Sequence, residues 1–140
     1  MSEVDNIAVS KYVLSVLNAW PDKIATVKPE SLDKSAPAMM MQSLAGNPVE
    51  RKYVNGSFIG RYPFAVYARV DGRDTQLKLQ GFQALEKLCD HLKSATLPAM
   101  GANRQAIKVE NTSTPTTAAE HDNGMVDLMA VFSLQYKQGG

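Results

Sequence analysis

The alternation of apolar and polar positions is strongest in two stretches of the chain. From Phe58 the even positions read Phe58, Gly60, Tyr62, Phe64, Val66, Ala68 and Val70, while the odd positions include Arg61, Pro63, Tyr67 and Arg69. Successive strand residues point to opposite faces, so this pattern predicts a strand with one apolar and one mixed face. The second stretch sets Val126, Leu128, Ala130, Phe132, Leu134 and Tyr136 against Asp127, Met129, Val131, Ser133, Gln135 and Lys137, and predicts another such strand. Residues 49–70 hold the densest run of aromatic and β-branched side chains, which suits a half-buried pleated surface. Asn55-Gly56 accepts the positive φ angles of a tight turn, which predicts a hairpin there. Pro63 has no N–H for a ladder, so regular pairing of the second hairpin strand is expected at or just after it.

Two segments carry helical periodicity instead. Residues 4–20 place Ile7, Leu14 and Leu17 on one stripe, widened by Val9, Val13, Val16 and Trp20, with Ser2 or Asp5 as the cap and Pro21 as the stop. A second helix is expected from Asp74 or Thr75 to about Ser94. Its stripe is Leu77 or Leu79, Phe82, Leu85, Leu88 or Cys89, and Leu92. Gly81 costs about 1 kcal/mol against alanine inside a helix, and suggests a close approach to a strand. Lys87 and Lys93 suit the C-terminal end of the dipole, and Leu97-Pro98 closes the element.

Residues 21–48 contain four prolines and read as a long loop with at most one short helix. Met39, Met40 and Met41 would lie on or near one face of such a turn, either folded over the core or forming a surface that repacks on binding. Ile107 and Val109 alternate with Lys108 and Glu110, which marks a short strand. Residues 111–124, rich in Thr, Ser and Asn, read as a long, polar, mobile connection to the final strand. The order is helix, strand, strand, helix, strand, strand. The expected fold is therefore α+β: one domain over residues 1–140, with an antiparallel four-stranded sheet and two helices packed on one face.

Composition narrows the function classes. The 140 residues are 44% hydrophobic and 21% charged, with 15 basic against 14 acidic side chains. A net charge of +1 gives no global field toward nucleic acid or an anionic membrane. Arg51, Lys52, Arg61 and Arg69 are the best members of a local basic cluster, and the solvated face of a sheet accounts for them with fewer assumptions. One cysteine, Cys89, leaves no intrachain disulfide. The acidic start lacks the basic region of a signal peptide and no apolar run is long enough to span a bilayer, so a cytoplasmic origin is expected. Asn55-Gly-Ser and Asn111-Thr-Ser match the glycosylation pattern and are read as chance.

Candidate chemistry is sparse. There is no P-loop, no dinucleotide glycine fingerprint, no CxxC and no His-Glu-x-x-His. His91 and His121 are the obvious general bases. Cys89 and His91 are two apart on a helix and do not face each other, so a thiol–imidazole pair is badly placed and Cys89 reads as a core residue. His121 reads as an exposed loop residue, because a metal there would need ligands from elsewhere. Neither a cofactor nor a metal is expected, and the residues alone reach a small α+β domain that is not an enzyme.

Several short features follow in order along the chain: Arg51-Lys52-Tyr53-x-x-Gly56-Ser57, the Tyr62-Pro63-Phe64 entry into the second strand and a helix closed by Leu97-Pro98. A polar arm comes next, then Asp122-Asn123-Gly124 before an alternating strand that ends in Tyr136. Together they resemble the tail terminator proteins of long-tailed bacteriophages, a group that includes proteins labelled minor capsid proteins. The resemblance implies a structural protein without catalytic residues, forming a ring, typically a hexamer, that caps the finished tail tube. It implies as partners further copies of the chain, the major tail tube protein and a head-completion or neck protein. It also implies a place at the tail–head junction of the virion after passage through the host cytoplasm. No small-molecule substrate, membrane or specific nucleic acid is expected. The expected interface residues are Met39, Met40 and Met41 in the first loop, Arg51, Lys52, Arg61, Tyr67 and Arg69 around the central hairpin, and Thr112, Thr116 and Thr117 in the arm. Two other readings stay open: another head–tail connector or neck protein, and a small binding module or enzyme of unknown substrate.

Overall fold

The computed structural model describes residues 6–21, 23–29, 37–44, 49–94, 97–101 and 103–139. Their order is α1 (Asn6–Ala19), β1 (Val27–Pro29), β2 (Ala38–Ser43), β3 (Val49–Lys52), β4 (Phe58–Asp71), α2 (Thr75–Ser94), β5 (Arg104–Glu120) and β6 (Met125–Gln138). The caps expected at Ser2 or Asp5 lie outside the described residues, as does the side chain of Ile7.

The fold is α+β, with two helices and a six-stranded mixed sheet rather than a four-stranded antiparallel one. Strand order is β1-β2-β4-β6-β5, and β3 pairs with β4. The extra strands come from the stretch expected to be a loop. Its prolines bound strands instead of excluding them: Pro29 ends β1 and Pro37 immediately precedes β2. β1 and β2 pair in parallel, and β2 is antiparallel to β4, Met39 facing Ala68 and Met41 facing Val66. Met39 and Met41 are therefore core residues, whereas Met40 points to the other face and is half-buried. The methionine triplet is a strand with period-two burial, not a turn.

The centre of the sheet is β4 against β6. They pair from Phe58–Gln138 to Asp71–Met125. Pro63 does not delay this ladder. In an antiparallel strand the N–H and C=O of one residue point to the same side. The Pro63 carbonyl accepts from Leu44 N at 2.9 Å, so its missing N–H also lies on the side shared by β2 and β3. There it falls in the gap between the Ser43–Phe64 and Val49–Gly60 pairs, and the β6 side is untouched. The Asn55-Gly56 turn forms as expected, with Tyr53 N donating to Ser57 O at 2.8 Å and Gly56 at a φ of 89°.

Residues 111–120 are strand, not a mobile connection. β5 pairs with β6 throughout its length, with register shifts at four points, and only His121 to Gly124 turn. His121 N donates to Met125 O and Gly124 N to His121 O, both at 2.9 Å. Threonine suits strands, and the polarity of this one follows from its position at the sheet edge, where Val109 is its single buried side chain.

Both helices pack on the even face of β4 and β6, in one core. α1 buries Val9, Val13 and Leu17, with Trp20 buried just beyond its end, while Leu14 and Val16 are half-buried. Asp74 caps α2, accepting from Gln76 N at 3.0 Å and Leu77 N at 3.3 Å. The α2 stripe is Ala84, Leu85, Leu88 and Leu92. Leu77 and Leu79 are outside it, at 43% and 56% exposure. The stripe begins at Gly81, where a Cβ would stand 2.9 Å from both Leu128 Cδ1 and Val70 Cγ1. Cross-strand ring contacts knit the core, with Phe64 and Phe132 stacked at 5.5 Å and Phe58 edge-on to Tyr136 at 6.4 Å.

Phe132→Ala should destabilise the fold by about 3–5 kcal/mol in urea melts, as large-to-small core changes do. Gly60→Ala should also be costly, by about 1–3 kcal/mol, because its Cβ would fall 2.3 Å from Cζ of the Tyr136 ring lying over it. Ser133→Ala, on the opposite face, should cost no more than about 1 kcal/mol. Equal losses at Phe132 and Ser133 would contradict the register.

Candidate interaction face

The helices leave one side of the sheet without a helix among the described residues. This face is built from the odd positions of β4 and β6 and the residues aligned with them. Tyr67 lies between Met40 and Met129, and Ala65 between Gln42 and Val131. These side chains form a largely apolar strip. Met40, Tyr67, Met129 and Val131 are half-buried and Ala65 is fully buried beneath its neighbours.

Each end of the strip is closed by a charge cluster. At one end Arg69 faces Asp127 across the β4–β6 ladder. Its Nε donates to Oδ1 at 2.7 Å and its Nη2 to Oδ2 at 3.1 Å, a bidentate pair. His121 Nε2 is 2.9 Å from Asp127 Oδ2 and 3.4 Å from Arg69 Nη2. The Asp127 side chain is only 9% exposed. Burial alone would raise its carboxyl, but the hydrogen bonds from Arg69 and then His121 outweigh that and hold it below the usual carboxylate range. At the other end Glu110 accepts from Lys108 at 2.8 Å and from Arg61 at 3.3 Å, and Arg61 also reaches Ser133 Oγ at 3.4 Å. The Lys108 bond, then the Arg61 bond, lower the Glu110 carboxyl.

The expected interface residues therefore separate. Met40, Arg61, Tyr67 and Arg69 share this face, and Thr116 joins it opposite Met129. Met39 and Met41 leave the set, because they are core. Arg51 and Lys52 are exposed on β3 at the sheet edge. Thr117 is opposite Leu128 on the helix side, and Thr112 stands at a register shift; both are exposed. Asp127 and Glu110 are the residues that sequence reading missed, and His121, read as an exposed loop residue, joins Asp127. Asp127 and Glu110 were visible as charges on the mixed side of an alternating strand, but their partners depend on register.

Cys89 is half-buried on α2, and burial, with Asp90 adding to it, pushes its thiol up, away from the reactive thiolate. His121 belongs to a tight turn, not to a mobile loop, and bonds Asp127. Among the described residues no group of three His, Cys, Asp or Glu side chains could hold a metal ion, and no helix is long and apolar enough to cross a membrane.

Asp127→Asn should lower stability at neutral pH by about 1–3 kcal/mol, the scale for a disrupted bond to a buried charged group. A carboxyl whose pKa is lowered on folding adds stability that is complete above the unfolded value, about 3.9. That stability is lost as the pH falls through the folded value. The gap between wild type and variant should therefore close below about pH 4 in urea melts. A gap independent of pH would show that the Asp127 charge is not its source. The double change Arg69→Met with Asp127→Leu should cost less than the sum of the two single changes.

No protein-family model and no curated protein matches this sequence.

Proposed function

We propose that the chain is a structural subunit of a bacteriophage virion, a tail-terminator-like protein that forms a ring on the end of the tail tube. In this reading it ends tail elongation, offers the surface for head joining and performs no catalysis. The observation that carries it is the helix-free sheet face, where an apolar strip is closed at both ends by ion-paired clusters. An apolar centre with a polar rim is the anatomy of a protein–protein interface. The arginines of this face are held by carboxylates on the same sheet, which suits a protein partner better than a phosphate backbone. The short features that resemble tail terminators support, as partners in this reading, further copies of the chain, the tail tube protein and the neck. Another connector or neck protein would use such a face in the same way, and tail length separates the two.

A small binding module is the second reading. In its favour is a mainly apolar pocket of about 310 Å³ lined by Ile24, Pro37, Val70, Leu77, Gly81 and Met125.

The deciding experiment is complementation of a phage lacking this gene. Met129→Lys should fold with nearly wild-type stability and yield no infectious particles, with tails of uncontrolled length or tails that fail to join heads. Normal tails and particles from that variant would remove the face from assembly. The Cys89→Ser, His91→Ala double variant should support normal particle yields. A folded double variant that gave none would overturn the structural, non-catalytic reading.

A further inference from the structure

The two edges of the sheet are finished differently. On one side β1 is guarded: the Asn18 side chain on α1 accepts from Val27 N at 2.8 Å and donates to Val27 O at 3.0 Å. It thereby occupies the backbone groups to which a further strand would bind. Beyond β3, on the same side of β4, no strand pairs among the described residues, and Arg51 and Lys52 are exposed there. On the opposite side β5 is the last strand. From residue 111 to 119 it carries no charged side chain, although charge is a common guard on an open edge. Its register shifts against β6 rule out long, flat pairing and leave one unbroken run of four residues, Lys108 to Asn111. β3 has four residues with a register shift of its own between Val49 and Arg51, so Arg51 and Lys52 are its regular pair.

We propose that β3 of one copy adds to the outer edge of β5 of the next, with Arg51 opposite Glu110 of its neighbour. This rests on the ring reading and names the strands that join its subunits. Direction permits it. β3 runs antiparallel to β4, β4 to β6 and β6 to β5, so β3 and β5 point in opposite senses. A neighbour related by rotation about an axis along the strands therefore presents β3 antiparallel to β5, a head-to-tail contact that closes into a ring.

Charge and face select the register. Residues directly opposite in a ladder share a face. Arg51 pairs with Ile59 and so lies on the helix-free side, as Glu110 does through Ser133 and Lys108 through Gln135. Within the unbroken run Arg51 can therefore face Lys108, a like charge, or Glu110, an opposite one. Glu110 already accepts from Lys108 and Arg61, and a carboxylate has about four acceptor positions, so a third donor fits. A two-fold pairing of β5 with itself about Pro115 would instead set Glu110 against Glu120.

The geometry of this register is that of a closed sheet. It places Lys52 opposite Val109 of the neighbour, which is level with Leu134, whereas Lys52 within its own chain is level with Gln138. The offset is four residues, or about 14 Å along the strands, over four strands spanning about 19 Å. The strands would tilt by about 35°, within the range that closed barrels adopt.

The test is self-association of the full chain by sedimentation velocity up to the solubility limit, alone and with the tail tube protein. Arg51→Glu should weaken association roughly tenfold or more, as should Glu110→Arg, and the double charge swap should restore it. Amide exchange should show Val109 and Asn111 protected only in the assembly, because the amides of Lys108 and Glu110 face β6 within each copy. Association of Arg51→Glu equal to wild type would overturn the strand pairing and leave the ring reading standing. A wild-type chain that stayed monomeric under every condition would overturn both.

Discussion

The ladder between β4 and β6 sets the position of everything else. Two fourteen-residue strands meet with opposite residues in register, and each keeps its even positions, Phe58 to Val70 and Val126 to Tyr136, apolar against a mixed odd face. A slip of one residue would turn every core side chain to the other face, so the hydrophobic pattern fixes the pairing strongly. From this ladder follow the seat of both helices, the stacking of Phe64 on Phe132 and the Tyr136 ring over Gly60. The polar face is fixed by the same register. Arg69 meets Asp127, and Arg61 comes within reach of Ser133, because the apolar residues beside them have already chosen their partners.

Reading the sequence recovered what depends on period and on local chemistry. The alternation marked β4 and β6, Asn55-Gly56 marked a turn, and α2 was expected from Asp74 or Thr75 to about Ser94, where Asp74 proves to be its cap. Gly81 was correctly tied to a close approach to the sheet. Failures came where composition stood in for pattern. Prolines suggested a loop around Met39 to Met41, although Pro29 and Pro37 sit at strand boundaries and the methionines alternate in burial. Thr, Ser and Asn suggested a mobile arm, although an edge strand facing water on both sides has no need of apolar residues. Pairing between distant strands leaves no local signal. The Arg69–Asp127–His121 cluster was therefore legible only as separate charged residues.

The electrostatics of the helix-free face are local. Arg69 is held by a carboxylate of the adjacent strand β6 and Arg61 by one of β5, across β6, so the charges position one another before they meet anything else. Such pairs add specificity more than raw affinity when a surface is covered, since the geometry of each cation is already set. The apolar strip between them has no comparable partner on that side of the sheet among the described residues. The contrast between fixed charges and an open apolar centre is what distinguishes this face from an ordinary solvated one.

The order of the strands has a kinetic consequence. Partners in the central ladder are separated by between 54 residues, Asp71 to Met125, and 80 residues, Phe58 to Gln138. The hairpins on either side close locally, β3 with β4 through a short turn and β5 with β6 through His121 to Gly124. Contacts across long sequence separations form late, because the entropy of closing the intervening chain is lost before they bring any gain. During synthesis β4 must therefore wait, with one long edge unpaired, until β6 has left the ribosome. In that interval the exposed ladder of β4 is the part of the chain most open to pairing with the wrong strand.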